Sequence, residues 1–491
     1  MSNLNKDILF LIFEEFQDDS KSLFSCLMVN RFWCEIAISI LWKNPWHYNI
    51  NYSNKYYLFA IIGFYLSNDI REFLMKEGIR LPLISSQSLL FDYLSFCRSI
   101  DINIINTLIS IGSSLDYDQF LIQQEFYSLF MKKFLGLKFL DIRSLNHQIF
   151  YCPEAKTCLE SLCELKCNTS IDSSYFYGFA SICQHIQRLI IINENQNFNG
   201  IVKLIEVQKN LKYFEWKDDF DNDYFPTEKL YKDIFFELEK KANTLNHFKL
   251  FFDYEYFTEY MFPQNLLPKL HKLKTLVIND FSYVDENLLK GLVYNNLEIL
   301  NIGYTTMDEA SILIENSGGK LKQILLKPVD YDYQNESSLN FIRNIYKNCP
   351  SIECLSLAFP PYSNHFTEFK RLLNTCHNLK SLLLVIKNGY HIYETEEKMI
   401  ENGSKLLKIL IESTTNLREI RFFNDFKFSL KDLKEFLRNW SGRPALSLLT
   451  SDHIYERNDY KTLIDEYKDA GIIKDFRCES VANLENMDFK T

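Results

Sequence analysis

The chain has 491 residues, 47% hydrophobic and 15% aromatic, and its 54 Lys and Arg against 64 Asp and Glu leave a formal net charge of −10. That is enough apolar matter for about three ordinary domains or one long repeat array, and the acidic balance disfavours non-specific attraction to nucleic acid or anionic lipid. No window approaches 18 uncharged apolar residues and no basic-then-apolar leader opens the chain, while twelve cysteines lie scattered without a framework. The expectation is a protein of the cytoplasm and/or nucleus with free thiols, no membrane span and no nucleic-acid partner.

The first 46 residues predict three short helices. Ile8, Leu9, Ile12, Phe13 and Phe16 recur at helical spacing. Asp18-Asp19 breaks that run, and Ser20 is placed to cap a second helix carrying Leu23, Cys26, Leu27, Trp33, Cys34 and Ala37. A third apolar stretch ends in Leu41-Trp42, closed by Asn44-Pro45. So small a unit buries little surface alone and leans on a partner.

Leu4-Asn5-Lys6-Asp7-Ile8-Leu9 followed by Ile12-Phe13, and then Leu27-Met28-Val29-Asn30-Arg31-Phe32-Trp33, resemble the two halves of an F-box at the family's spacing. Asn5 stands where proline is usual, and Asp7 where glutamate is commoner. The resemblance implies that this unit docks a Skp-family adaptor, itself joined to a cullin scaffold. It assigns the adaptor contacts to Leu4, Asn5, Asp7, Ile8, Leu9, Ile12, Leu27, Val29, Asn30 and Trp33.

Residues 47–134 read as a helical linker, with Leu89–Ile100 and Ile104–Ile111 as candidate helices. Strand-like cores of the form apolar-x-x-apolar-x-apolar then begin at Leu137, Leu162, Ile186, Leu211, Leu245, Leu273, Leu297, Leu321, Ile352, Leu379 and Leu417, and weakly at Arg443. Most of the steps between them lie in the 20–29 residue range of leucine-rich repeats, and the long ones predict loops or extended helices bulging from the array. Several cores share a polar lead-in, as in Asn296-Leu297, Asn378-Leu379 and Asn416-Leu417. Cys183, Cys349 and Cys376 each stand three residues ahead of a core, and the intervals are amphipathic, as with Leu339, Ile342 and Ile345.

This pattern resembles the cysteine-containing leucine-rich repeats that often follow an F-box. The expected fold class is α/β: a three-helix F-box over 1–46, the linker over 47–134, a solenoid of curved parallel sheet with outer helices over 135–450, and a C-terminal cap or tail over 451–491.

No catalytic constellation or cofactor site is expected. Asp219-Phe220-Asp221-Asn222-Asp223 opens like a calcium loop, but Tyr224 and Leu230 stand where glycine and glutamate are needed. Cys152, Cys158, Cys163 and Cys167 contain no Cys-x-x-Cys pair and lack a histidine at zinc spacing, so no metal is expected. Gly318-Gly319-Lys320 lacks the rest of a phosphate loop, and no Gly-x-Ser-x-Gly or His-Glu-x-x-His occurs.

The resemblance implies a non-enzymatic function: substrate recognition in an SCF-type ubiquitin ligase, for ubiquitin-dependent degradation of an unidentified protein. The alternative is an interaction scaffold with a degenerate F-box, outside any ligase. Strand alternation turns Val277, Asn301, Leu325, Ser356, Leu383 and Arg421 outward, with Val385 and Phe423 two places further on. This row is the expected substrate face. Its two candidate occupants are the substrate and the segment 472–491, folding back through Ile472, Ile473, Phe476 and Phe489.

Overall fold

Each apolar-x-x-apolar-x-apolar segment places three side chains on one side of a short extended stretch, and a helix returns the chain to start the next. The computed structural model describes residues 5–47, 52–82, 88–194, 199–220, 228–253, 259, 262–328, 335–386, 395–413, 416–422 and 427–479. The chain divides into two units, Met1–Lys241 and Ala242–Thr491.

The first unit holds three N-terminal helices, α1 (Lys6–Glu14), α2 (Ser20–Leu27) and α3 (Arg31–Leu41), followed by further helices at Tyr52–Phe64 and Asn68–Lys76. Its strands are β1 (Ser99–Asp101), β2 (Phe139–Asp141), β3 (Glu164–Asn168), β4 (Arg188–Asn193) and β5 (Tyr213–Asp218). They pair in parallel in sequence order. The second unit holds β6 (His247–Phe251), β7 (Thr275–Ile278), β8 (Ile299–Thr305), β9 (Gln323–Pro328), β10 (Cys354–Phe359), β11 (Ser381–Ile386), β12 (Glu419–Phe422), β13 (Leu446–Thr450) and β14 (Ile473–Cys478). These also pair in parallel, each with the next. Helices such as Met307–Glu315, Ser363–Thr375 and Leu430–Trp440 make the returns. This is an α/β repeat fold of the leucine-rich type.

The core lies between strands and helices, and it is the expected one. Leu137, Leu140 and Ile142 are buried, as are Leu297, Leu300 and Ile302, and Leu379, Leu382 and Leu384. Cys183, Cys349 and Cys376 are buried with them. The Cys183 thiol donates to the Leu159 carbonyl one repeat back (3.4 Å), and Cys376 to that of Cys349 (3.9 Å). Burial pushes these three thiols up, to about 12, 11 and 12. They serve as small apolar spacers that hold consecutive turns together. The long step from Leu379 to Leu417 accommodates a helix of 17 residues, Glu396–Glu412.

Three local expectations change. Leu89–Ile100 is not one helix: a single turn at Tyr93–Phe96 leads into β1. Cys97, Ile100 and Ile102 are all buried, making one more copy of the repeat core. A short apolar run is equally compatible with helix and strand, and pairing with β2 decides it. Ser20 does not cap α2; Asp19 does, accepting from the Ser22 amide at 3.2 Å. The expected second helix is two, because Asn30 interrupts it and caps α3.

The array also runs past residue 450. Beyond it come a 3-10 turn at His453–Glu456, a helix at Asn458–Asp469, and β14 in parallel with β13. Ile473 and Phe476 therefore belong to β14, with Ile472 just before it, and do not fold back along the sheet; Phe489 lies outside the described residues.

Candidate protein-docking surfaces

The N-terminal helices are each started by a side chain that accepts from an orphan amide. Asn5 Oδ1 accepts from the Asp7 amide at 3.4 Å, and Asn30 Oδ1 from the Trp33 amide at 2.9 Å. The Ser22 hydroxyl donates to Asp19 Oδ2 at 2.6 Å, and together with the Ser22 amide it holds the Asp19 carboxyl below its ordinary range. One side of the helices closes into a small core of Leu9, Phe13, Leu23, Ile36, Ala37 and Ile40. Trp33 packs edge-on against Phe13, with centroids 5.0 Å apart.

The other side is apolar too. On α1 and the turn after it, Ile8 (47% exposed), Leu11, Ile12 and Phe16 face solvent; on α2 and the following turn, so do Phe24, Met28 (86%) and Val29, and Phe32 joins them on α3. Isolated exposed hydrophobics are ordinary, but so many within three short helices mark a surface built to be covered.

The same unit fastens this surface to the first strand. Trp46 Nε1 donates to the Ser99 carbonyl at 2.8 Å, the Ser99 hydroxyl to Asn44 Oδ1 at 2.8 Å, and the Arg98 amide to the Lys43 carbonyl at 2.9 Å. Lys43 in turn pairs with Glu14 of α1 and lies 4.6 Å from the centre of the Phe10 ring. The helices are thus tied to the end of the strand array by buried or half-buried polar contacts.

The expected adaptor residues divide accordingly. Ile8, Ile12 and Val29 are exposed, as is Asp7 in the first turn of α1. Asn5 and Asn30 are helix caps, and Leu27 and Trp33 are half-buried. Leu9 is corrected: at 2% exposure it belongs to the internal core and presents nothing to a partner. Leu4 lies outside the described residues. Leu11, Phe16, Phe24, Met28 and Phe32 went unassigned. For Leu11 the signal is the unbroken apolar run Ile8-Leu9-Phe10-Leu11-Ile12-Phe13, more than one buried helix face can absorb; Phe16, Phe24, Met28 and Phe32 lie outside that run, and only the docking of the helices leaves them exposed.

In the second unit the expected substrate row is one register line. Val277 pairs with Asn301, Asn301 with Leu325, Ser356 with Leu383, and Leu383 with Arg421, continuing to Leu449 and Arg477. The Ser356 hydroxyl lies 2.6 Å from the Leu326 amide, which donates to it. Its exposure differs from expectation. Val277, Leu325, Ser356 and Leu383 are buried, while Asn301, Val385 and Arg421 are half-buried. Leu325 and Leu383 form one cluster with Val385 against it. Strands under 5 Å apart let large side chains on either side of a small one shield each other. Arg421 is held by Glu419 at 2.8 Å. Phe423 lies outside the described residues, as do Asp221 to Leu230 of the acidic loop in whole or in side chain.

One exposed aromatic of this unit also went unassigned. Tyr304, at the irregularity between β8 and β9, has a left-handed backbone (φ 49°) and is 43% exposed. A non-glycine residue held there is strained, and such strain gathers at functional positions.

No family model matches the chain, and no curated protein matches it. Among solved structures it is similar to a chain of the crystal structure of the Rad7 and Elc1 complex in yeast. The TM-score is 0.41 and the identity 16%, with 75% of this chain and 81% of that chain covered. Among the described residues, no helix is long and apolar enough to cross a membrane.

Proposed function

We infer that this chain is the substrate-recognition subunit of an SCF-type ubiquitin ligase. The observation that carries the reading is the apolar outer surface of α1 to α3, displayed by residues that resemble an F-box. In this reading Ile8, Leu11, Ile12, Phe24, Met28 and Val29 are covered by a Skp-family adaptor, which joins the chain to a cullin scaffold. The repeats bind the target protein. The chain performs no chemistry itself; it raises the local concentration of target lysines at the ubiquitin-conjugating enzyme. It works in the cytoplasm or nucleus, where those partners are found.

Asn5 in place of proline does not remove the start of α1, because its side chain caps the helix. Co-purification of the full chain with a Skp-family adaptor tests the reading. Stoichiometric capture that is lost when Ile8 or Met28 becomes Asp is the expected result. No capture by the unaltered chain leaves the repeats as a scaffold outside any ligase.

A further inference from the structure

The far end of the second unit brings together donor atoms of three chemical types. The chain leaves β13 at Thr450 and turns at Asp452, whose amide donates to Thr450 Oγ1 at 3.1 Å and whose carboxylate accepts from the Ile454 amide at 2.9 Å. The 3-10 turn His453–Glu456 follows, its Tyr455 ring buried and its Tyr455 hydroxyl accepting from the Phe428 amide at 3.0 Å. The chain returns through a helix into β14, where Cys478 is the register partner of Thr450. His453 and Cys478 are therefore 25 residues apart in sequence and neighbours in space.

His453 Nδ1 is 2.9 Å from Glu456 Oε2 and 3.5 Å from Cys478 Sγ, and all three donor atoms lie within 4.8 Å of one another. Zinc bonds of about 2.3 Å to sulfur and 2.0 Å to imidazole or carboxylate make tetrahedron edges of about 3.3–3.6 Å. Both distances are close to those edges, so small side-chain rotations would seat an ion. The turn and the strand that carry the donors are each pinned by the bonds just described.

We propose that His453, Glu456 and Cys478 form a three-ligand site for a thiophilic divalent cation, zinc foremost, with water in the fourth position. A thiolate, an imidazole and a carboxylate suit zinc, whereas magnesium and calcium prefer oxygen alone. The Glu456 carboxylate stands beside the His453 imidazole and the Cys478 sulfur, and its charge favours a cation there. Binding is an exchange: the Cys478 thiol gives up its proton to solvent, its sulfur takes the metal, and no electrons move. With one thiolate and one carboxylate the loaded site is neutral. It clamps the end of β14 to the turn after β13 and so closes the last turn of the array. The site is independent of adaptor binding.

The test is a zinc titration of the metal-free, reduced full chain against a chromogenic chelator, alongside cobalt(II) as a spectroscopic probe. One equivalent should bind, with near-ultraviolet thiolate absorption on cobalt loading, and apparent affinity should rise with pH as the proton is displaced. Cys478→Ser and His453→Ala should each weaken zinc at least tenfold and abolish the cobalt band. The metal-free melting of His453→Ala should match that of the unaltered chain, because His453 is 79% exposed, and that of Cys478→Ser should lie close to it, because the exchange is near-isosteric at a half-buried position. The proposal fails if the unaltered chain shows no stoichiometric site. It also fails if either variant keeps full affinity, or if the thiolate band survives in Cys478→Ser and so belongs to another cysteine.

Discussion

Ile8 and Leu9 are adjacent in α1, and the structure assigns them opposite tasks. Ile8 is 47% exposed and Leu9 2%. Ile8→Asp introduces a carboxylate where water already reaches, so it should change the stability of the free chain by no more than about 0.5 kcal/mol. Within an apolar contact the same carboxylate is desolvated without a partner, at a cost of roughly 2–4 kcal/mol. At 1.4 kcal/mol per factor of ten that is a loss of about 30- to 700-fold in adaptor affinity. Leu9→Ala reverses the pattern. It opens a cavity at a buried position of the helical unit and should cost roughly 2–5 kcal/mol of local stability. Any adaptor weakening then follows from lost helix structure. Calorimetric titration with a purified Skp-family adaptor gives the affinities, and hydrogen exchange over residues 5–47 reports local stability. Undiminished adaptor binding by Ile8→Asp would refute the docking surface. Strong loss of exchange protection in Ile8→Asp would refute the division of α1 into an inner and an outer face.

The expected substrate face behaves differently from an open groove. Leu383, 4% exposed, cannot take a charge cheaply; Leu383→Glu should destabilise the second unit by roughly 3–5 kcal/mol, seen as a lower urea midpoint before any selective loss of partners. Gly303 sits where an added Cβ would meet the Asn279 carbonyl oxygen at 2.2 Å. Gly303→Ala should therefore spread β7 from β8 and cost roughly 1–3 kcal/mol in thermal unfolding. Arg443 donates to the carbonyls of Leu410, Ile411 and Ser413 at the end of the helix Glu396–Glu412. Arg443→Ala should cost about 2–4 kcal/mol by chemical denaturation, and Arg443→Lys should recover only part, since one ammonium cannot span three acceptors with a planar fork.

The sequence alone was sufficient for the repeat and its phase between Leu137 and Leu417, but not for the copy before it or the strand pairing after residue 450. An apolar-x-x-apolar-x-apolar core can bury its three side chains in only one way, and the cores from Leu137 to Leu417 lie inside as their spacing demands, Leu326 alone being half-buried, while Arg443 heads no apolar core and is half-buried. The helical character of the N-terminal stretch was legible from its apolar period, but not its division, because that period runs on through Asn30, which ends one helix and caps the next. What packs against what was not local. Cys97, Ile100 and Ile102 have a pattern that either a helix or a strand would satisfy, and only pairing with β2 makes them a strand. Ile8 and Leu9 are equally apolar; which one faces α3 depends on how the three helices dock. Val277, Leu325 and Leu383 do share one side of the sheet, as alternation requires, but periodicity says nothing of how closely neighbours crowd, so their burial was decided by the packed array. His453 and Cys478 meet because the register of β14 on β13 returns the chain to the turn it left 25 residues earlier. Periodicity reports which way a side chain points, while contact between distant residues is settled by the free energy of the whole packing, and that exists only in three dimensions.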